Sequence, residues 1–219
     1  MRKSAFWFLF ILLSYASCYE RPELAVVPAI SFNDFYFKDI PNVSLDSMVL
    51  IINFEDGDGD LGLESWETDP PYHLFDIFVF NGDTLKLGDN DTLPPFNCVD
   101  YEIIVNGGRP DTVYVRRNPN HFNFFLTFLI KDGDSFRPFD PVRERNCAPP
   151  YNGRYFVLNT SRTLRPLRGQ LQYRLVSGFR LLFRNDSIKI GVQIQDRSLN
   201  RSNYLETEAF MIQDRFRSF

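Results

Sequence analysis

The chain has 219 residues, 44% apolar and 16% aromatic, enough to fill a core and to exclude disorder over most of its length. Its formal charge of -4 makes duplex nucleic acid a poor partner. Acidic residues crowd 46–111, where the only bases are Lys86 and Arg109. Basic residues crowd 143–201, where the only acids are Glu144, Asp186 and Asp196. The two stretches either face each other in one folded unit or leave an anion-binding patch at Arg168, Arg174, Arg180 and Arg184.

Residues 1–17 read as an export signal: Arg2 and Lys3, an apolar run from Ala5 to Leu13, then the small residues Ala16 and Ser17. The run is well short of the ~20 residues a membrane-spanning helix needs. Cys18, directly after the small residues, resembles the acylated cysteine of bacterial lipoproteins, and Tyr19 after it resembles the outer-membrane sorting pattern; the alternative is an ordinary secretory signal. Several acyl chains on one residue hold a soluble domain at a bilayer almost permanently. Residues 18–27 then form the lipidated cysteine and a short tether, with 28–219 as a single domain. With Cys18 lipidated, Cys98 and Cys147 remain as an even pair in an oxidising compartment, and a disulfide between them is expected.

Apolar residues at every second position predict strands at Ala29–Phe37, Met48–Phe54, His73–Phe80, Tyr101–Val105, Thr112–Arg116 and Phe122–Ile130. After Cys147 they predict Tyr155–Leu158, Gln170–Leu175, Phe179–Phe183, Ile188–Ile194 and Tyr204–Ile212. The 23 phenylalanines and abundant branched residues suit pleated surfaces. Asn81-Gly82, Asn106-Gly107-Gly108 and Asp132-Gly133 supply the positive φ angles of tight hairpins. Many short strands without helical segments between them predict an all-β antiparallel sandwich, immunoglobulin-like, with inserted hairpins. Two of the strands share one lettering: DSMVLIINFED from Asp46 and DSIKIGVQIQD from Asp186, each ending on Asp at the eleventh place.

Five places match Asp-Ser/Thr-apolar, beginning at Asp46, Asp83, Asp91, Asp111 and Asp186. The pattern resembles the O-glycosylation acceptor of exported Bacteroidota proteins, and strand-initiating turn chemistry accounts for it equally.

The sharpest local signal is FEDGDGDLG. Asp56, Asp58 and Asp60 alternate with glycines, so three carboxylates converge, and hard oxygen ligands at that spacing suit Ca²⁺. Counting from Asp56, Glu67 falls at twelve, where an EF-hand places its last carboxylate. Leu61 at the sixth position and the preceding strand argue against that motif. The expected ligands are Asp56, Asp58, Asp60 and Glu67; other completions are Glu64, Asp69, or Asp196 and Asn200 from the later loop. In the long connection that follows, Trp66 and Tyr72 either stack on a sugar ring as a ligand site or pack down as a lid.

The segments FEDGDGDLGL, PPFNC, NCAPPYNGRY and DRSLNRSN resemble a group of Bacteroidota outer-membrane or surface lipoproteins of unassigned function. The resemblance implies an immunoglobulin-like sandwich and a periplasmic or surface location, and carries no activity. His73 and His121 sit in apolar runs and make no triad or zinc pair, so no catalytic residues are assigned and an enzyme is not expected. The expectation is a lipid-anchored binding or structural module for a protein or glycan ligand, with membrane contact through its anchor; the alternative is a hydrolase acting on polysaccharide.

Overall fold

The structure is a computed structural model that describes residues 23–41, 44–89, 98–160 and 163–217. The leader, Cys18 and the Asp91-Thr92-Leu93 triplet lie outside the described residues.

The chain begins with β1 (Ala29–Asp39) and β2 (Asp46–Asp56), then enters an insert of mostly short strands: β3 (Phe75–Ile77), β4 (Val79–Phe80), β5 (Asp83–Thr84), β6 (Tyr101–Asn106) and β7 (Arg109–Arg117). The sandwich resumes with β8 (Phe124–Asp132), β9 (Ser135–Pro138), β10 (Leu167–Ser177) and β11 (Ser187–Ile194), before β12 (Leu205–Glu206) and β13 (Phe210–Met211). Single-turn helices α1 (Pro141–Glu144) and α2 (Phe179–Leu182) sit on either side of β10.

The strands pair antiparallel into one sheet of order β1-β2-β10 and a second of order β12-β11-β8-β9, with β13 also on β11. Leaving the short strands aside, the first, second and fifth sandwich strands share one sheet and the third, fourth, sixth and seventh share the other. That is the arrangement of an immunoglobulin-like sandwich. β2 lies between β1 and β10, so early and late parts of the chain share a sheet.

The core follows from period two. β2 turns Met48, Leu50, Ile52 and Phe54 inward, β8 turns Phe124, Leu126 and Phe128, and β11 turns Ile188, Ile190, Val192 and Ile194. Each such side chain contributes about 1.5–3 kcal/mol on burial. Phe124 of β8 stacks on Tyr173 of β10 with ring centroids 4.0 Å apart, tying the sheets face to face.

Phe179–Phe183, expected as a strand, is the helical turn α2. Its two phenylalanines are four residues apart and both fully buried, and each packs on Phe128. Helical spacing turns both rings inward, where a strand would also align them, so apolar periodicity alone does not separate the two states over so short a run. The backbone N–H of Arg180 donates to Asp46 Oδ2 at 2.7 Å, which satisfies one of the turn's free donors. Tyr155–Leu158 is extended without joining a named strand, and Tyr204–Ile212 is split into β12 and β13.

Between β2 and β8 the short strands form a sheet of order β3-β7-β6 and a β4-β5 hairpin. The three predicted hairpin turns are all made. Asn81-Gly82 joins β4 to β5, Gly107-Gly108 joins β6 to β7 and Gly133-Asp134 joins β8 to β9, with positive φ at Asn81 and at all four glycines. Cys98 and Cys147 stand at disulfide distance, Cα atoms 5.9 Å apart, and fasten this insert to the connection after β9.

The oppositely charged stretches face each other. Arg168 pairs with Glu55 at 2.8 Å, Arg174 donates to Ser47 Oγ at 2.8 Å, and Arg180 lies 3.7 Å from Asp46. Ser47 is fully buried beneath Arg174, so in the Asp46-Ser47-Met48 triplet the serine serves the fold and is closed to a modifying enzyme.

Candidate cation site

β2 ends on Asp56 at the rim of the sandwich, and the chain then turns sharply through residues 57–60. β11 reaches the same rim and is followed by Asp196. Carboxylate oxygens of Asp56, Asp58, Asp60 and Asp196 lie within 4.8 Å of one another. Ligands on opposite sides of one Ca²⁺ stand about 4.6–5.2 Å apart, so the spacing matches that of ligands around a single ion. An antiparallel bridge between Leu61 and Asp196 holds the two loops together, with Leu61 fully buried beneath.

Within the group the polar atoms divide sharply. Asp196 accepts from the Asn200 backbone N–H at 2.7 Å and from its Nδ2 at 2.8 Å, and Asp60 Oδ2 accepts from Ser198 N at 3.0 Å and Oγ at 2.7 Å. Asp60 Oδ1, Asp58 Oδ1 and both oxygens of Asp56 are buried with no hydrogen-bond partner. Asp56 as a whole is 0% exposed. A buried carboxylate left without donors is costly, and four sharing one site repel. Burial first, then the charges of Asp58, Asp60 and Asp196, push the Asp56 carboxyl from an ordinary 3.8 to about 7. The Asp60 backbone N–H eases that shift but stands outside hydrogen-bond geometry. Burial likewise raises Asp196, against the opposing Asn200 hydrogen bonds, and the Tyr155 hydroxyl is raised by burial and then by these carboxylates.

The glycines have a role beyond turning. A Cβ on Gly57 would run into the carbonyls of Leu24 and Ala25, one on Gly59 into Arg165, and one on Gly62 into Phe156 and Val157. Three backbone segments therefore cross the acidic loop in contact with it. The Gly57 N–H donates to Ala25 O at 2.8 Å, which lashes the N-terminal segment to the residue after Asp56.

Glu67 is not brought into this group. Its carboxylate takes two bonds from the Arg197 guanidinium, one of them 2.8 Å, and a third from the Glu64 N–H at 2.7 Å. Burial pushes Glu67 up, yet the Arg197 and Glu64 bonds outweigh it and hold the carboxyl below its ordinary value. Asp196 stands in its place, on the other sheet and 140 residues later in the chain than Asp56 by number. The repeated lettering of β2 and β11, each closing on Asp at the eleventh position, is the signal that points to it.

Of the two expected ligand-site aromatics, Tyr72 packs down: its hydroxyl donates to Arg197 O and its backbone carbonyl accepts from His121 Nδ1 at 3.0 Å. Trp66 stands out at 73% exposed. His73 serves as a local strut, with Nε2 2.9 Å from Asp76 and Asn118 Nδ2 bonded to its backbone carbonyl at 2.8 Å.

No protein-family model, curated protein or solved structure matches this chain. Among the described residues no helix is long and apolar enough to cross a membrane.

Proposed function

We propose that the chain is an extracytoplasmic binding or structural module, anchored by an acylated Cys18 at the outer membrane, whose sandwich rim holds a Ca²⁺ ion. The observation that carries the ion is Asp56: fully buried, both oxygens without a donor, and facing three further carboxylates. A bound divalent cation turns that mutual repulsion into attraction. The ligand set is all oxygen, with no cysteine or histidine in the cluster, which suits a hard cation better than zinc or copper.

The same burial weighs against a hydrolase built on these carboxylates. A general acid must reach the bond it protonates, whereas Asp56 and Asp196 are enclosed by the fold. The anchor rests on the leader pattern alone. Six residue-to-residue steps lead from Cys18 to Leu24, which crosses the acidic loop at Gly57. At ~3.3–3.6 Å per residue this places the loop within about 22 Å of an anchored Cys18.

Calorimetry tests the ion. In excess CaCl₂ the melting temperature rises above that in EDTA, by about 5–10 °C if the ion is present near a hundred times its Kd. An unchanged melting temperature removes the ion from the reading. Asp56→Asn, which deletes the trapped charge, melts above the wild type in EDTA and loses the response to Ca²⁺. Acyl labelling of wild type and Cys18→Ser tests the anchor, and equal labelling rejects it.

A further inference from the structure

Beside the cation site lies a second feature with a different chemistry. The turn around residues 64–68, the segment 154–156 and His121 enclose a groove of about 510 Å³. Its polar walls include Ser65, Thr68, His121 and Arg154, and Phe156 lines it while remaining 71% exposed. Trp66 is not one of the groove's lining residues, but it belongs to the same turn, between Ser65 and Thr68, and is equally open to solvent. We propose that this groove binds a saccharide, with Phe156 and Trp66 stacking on sugar rings and Arg154, His121 and the two hydroxyls meeting the sugar hydroxyls.

Sugars present apolar C–H faces rimmed by hydroxyls, and this surface offers the complement of both. A groove in the range of about 300–1,000 Å³ lined by an aromatic ring and a few polar groups has the make-up of a small-ligand site. His121 Nδ1 donates to the Tyr72 carbonyl, which leaves Nε2 as an acceptor with no partner among the described residues. Arg154 Nε is buried without a partner, while its NH2 group donates to the carbonyls of Glu64 and Glu67 at 3.0 and 2.9 Å. Those two bonds, together with the Glu67 contacts to Arg197 and Glu64, hold the 64–68 turn in place before any ligand arrives. Pre-organisation of this kind lowers the cost of binding.

The groove is tied to the cation site by the backbone. Leu63 N–H donates to Tyr155 O at 3.0 Å and Leu158 N–H to Leu61 O at 3.1 Å, so both walls grow from a pair of segments that starts at Asp60. The inference names the ligand class of the proposed binding module and rests on that reading. The sugar can belong to a free polysaccharide or to a glycolipid headgroup, and the two sources are separable.

The test is isothermal titration of the exported protein with maltohexaose, cellohexaose, xylohexaose, mannohexaose and chitohexaose, and with vesicles carrying lipopolysaccharide, each in CaCl₂ and in EDTA. At least one probe is expected to bind saturably in CaCl₂. A soluble oligosaccharide identifies a free glycan, and binding confined to vesicles identifies a headgroup. Trp66→Ala and Phe156→Ala each weaken binding about tenfold or more without moving the melting temperature, since both side chains are exposed. Trp66 is the only tryptophan outside the leader, so its fluorescence reports the same event in the wild type. No saturable binding to any probe, or binding that survives both substitutions, overturns the groove. Binding that persists in EDTA alongside an unchanged melting temperature sinks the ion and leaves the groove standing.

Discussion

The main sandwich and the insert between β2 and β8 are written in the same alternating code and reach different ends. In β11 every second residue from Ile188 to Ile194 is sealed in the core, whereas in β6 Ile103 is 67% and Val105 73% exposed. The difference is the number of layers. Two sheets cover each other in the sandwich, while the β6 face that carries Ile103 and Val105 is left open, and the segment around the β4-β5 hairpin bonds edge-on to β7 through Phe78, Leu85 and Leu87. Alternation identifies a strand and one apolar face; whether that face is dry depends on what else the fold can lay across it. The insert compensates covalently, through Cys98–Cys147, and electrostatically, through Arg117, which reaches Glu102 at 2.7 Å and the Val99 carbonyl at 2.8 Å.

Removing a ring from the shared interior tests whether the two sheets form one core. Phe128 touches Tyr151, Phe179 and Phe183, so its loss opens a cavity that no single neighbour can fill. Phe128→Ala is expected to destabilise the whole domain by about 3–5 kcal/mol. Chemical denaturation monitored by near- and far-ultraviolet dichroism should show both signals moving together, and a loss below about 1 kcal/mol would mean the two sheets do not share a core.

At the rim, the carboxylate cluster makes a pH prediction of the opposite sign to ordinary acid unfolding. With the ion removed, the folded chain holds the Asp56 proton up to about pH 7, whereas the unfolded chain releases it near 3.8. The folded state therefore binds the extra proton between those values, and stability falls as pH rises through that window, by on the order of 4 kcal/mol in full. The paired carboxylates Asp34, Glu67 and Glu144, held below their ordinary values of 3.8 and 4.5, withdraw their support only at lower pH. Melting in EDTA should thus be higher at pH 5 than at pH 8. With Ca²⁺ present the trend reverses, because protons compete for Asp56 and ion affinity drops below about pH 7. Identical pH profiles with and without EDTA would contradict the coupling.

The long strands, the hairpin turns and three of the four clustered carboxylates are legible, because strand periodicity and Asp-Gly alternation are local properties; Asp196 is legible only as one of several completions, marked by the repeat of β2 in β11. Counting onward from Asp56 leads to Glu67, since spacing along one loop is blind to a residue delivered by the opposite sheet. Arg197, which occupies Glu67, comes from that same distant loop. The acidic loop's glycines also read ambiguously: they suggest turns, whereas at Gly57, Gly59 and Gly62 the structure adds the close passage of other backbone segments. Such crossings are long-range facts with no local signature.

The disulfide tests how far the insert depends on its staple. Cys98 and Cys147 are 49 residues apart, and a link closing a loop of that size is worth about 2–4 kcal/mol. Replacing both with serine should loosen the insert first. Limited proteolysis is expected to cut within 75–117 while β2, β8 and β11 stay protected from hydrogen exchange. Uniform loss of protection would show that insert and sandwich unfold as one unit.

The smallest effect is expected on the open face of β6. Ile103 and Val105 contribute little to a core they do not enter, so Ile103→Thr and Val105→Thr should each change stability by no more than about 0.5 kcal/mol. Both replacements keep the branched side chain that suits a strand and remove apolar surface that water already covers. Equal substitutions at Ile190 and Val192, which occupy the corresponding inward rows of β11, place an unpartnered hydroxyl in the core and should cost several times more. If the β6 replacements instead cost as much as those in β11, that face is covered in solution, and the layer count that separates the two regions is wrong.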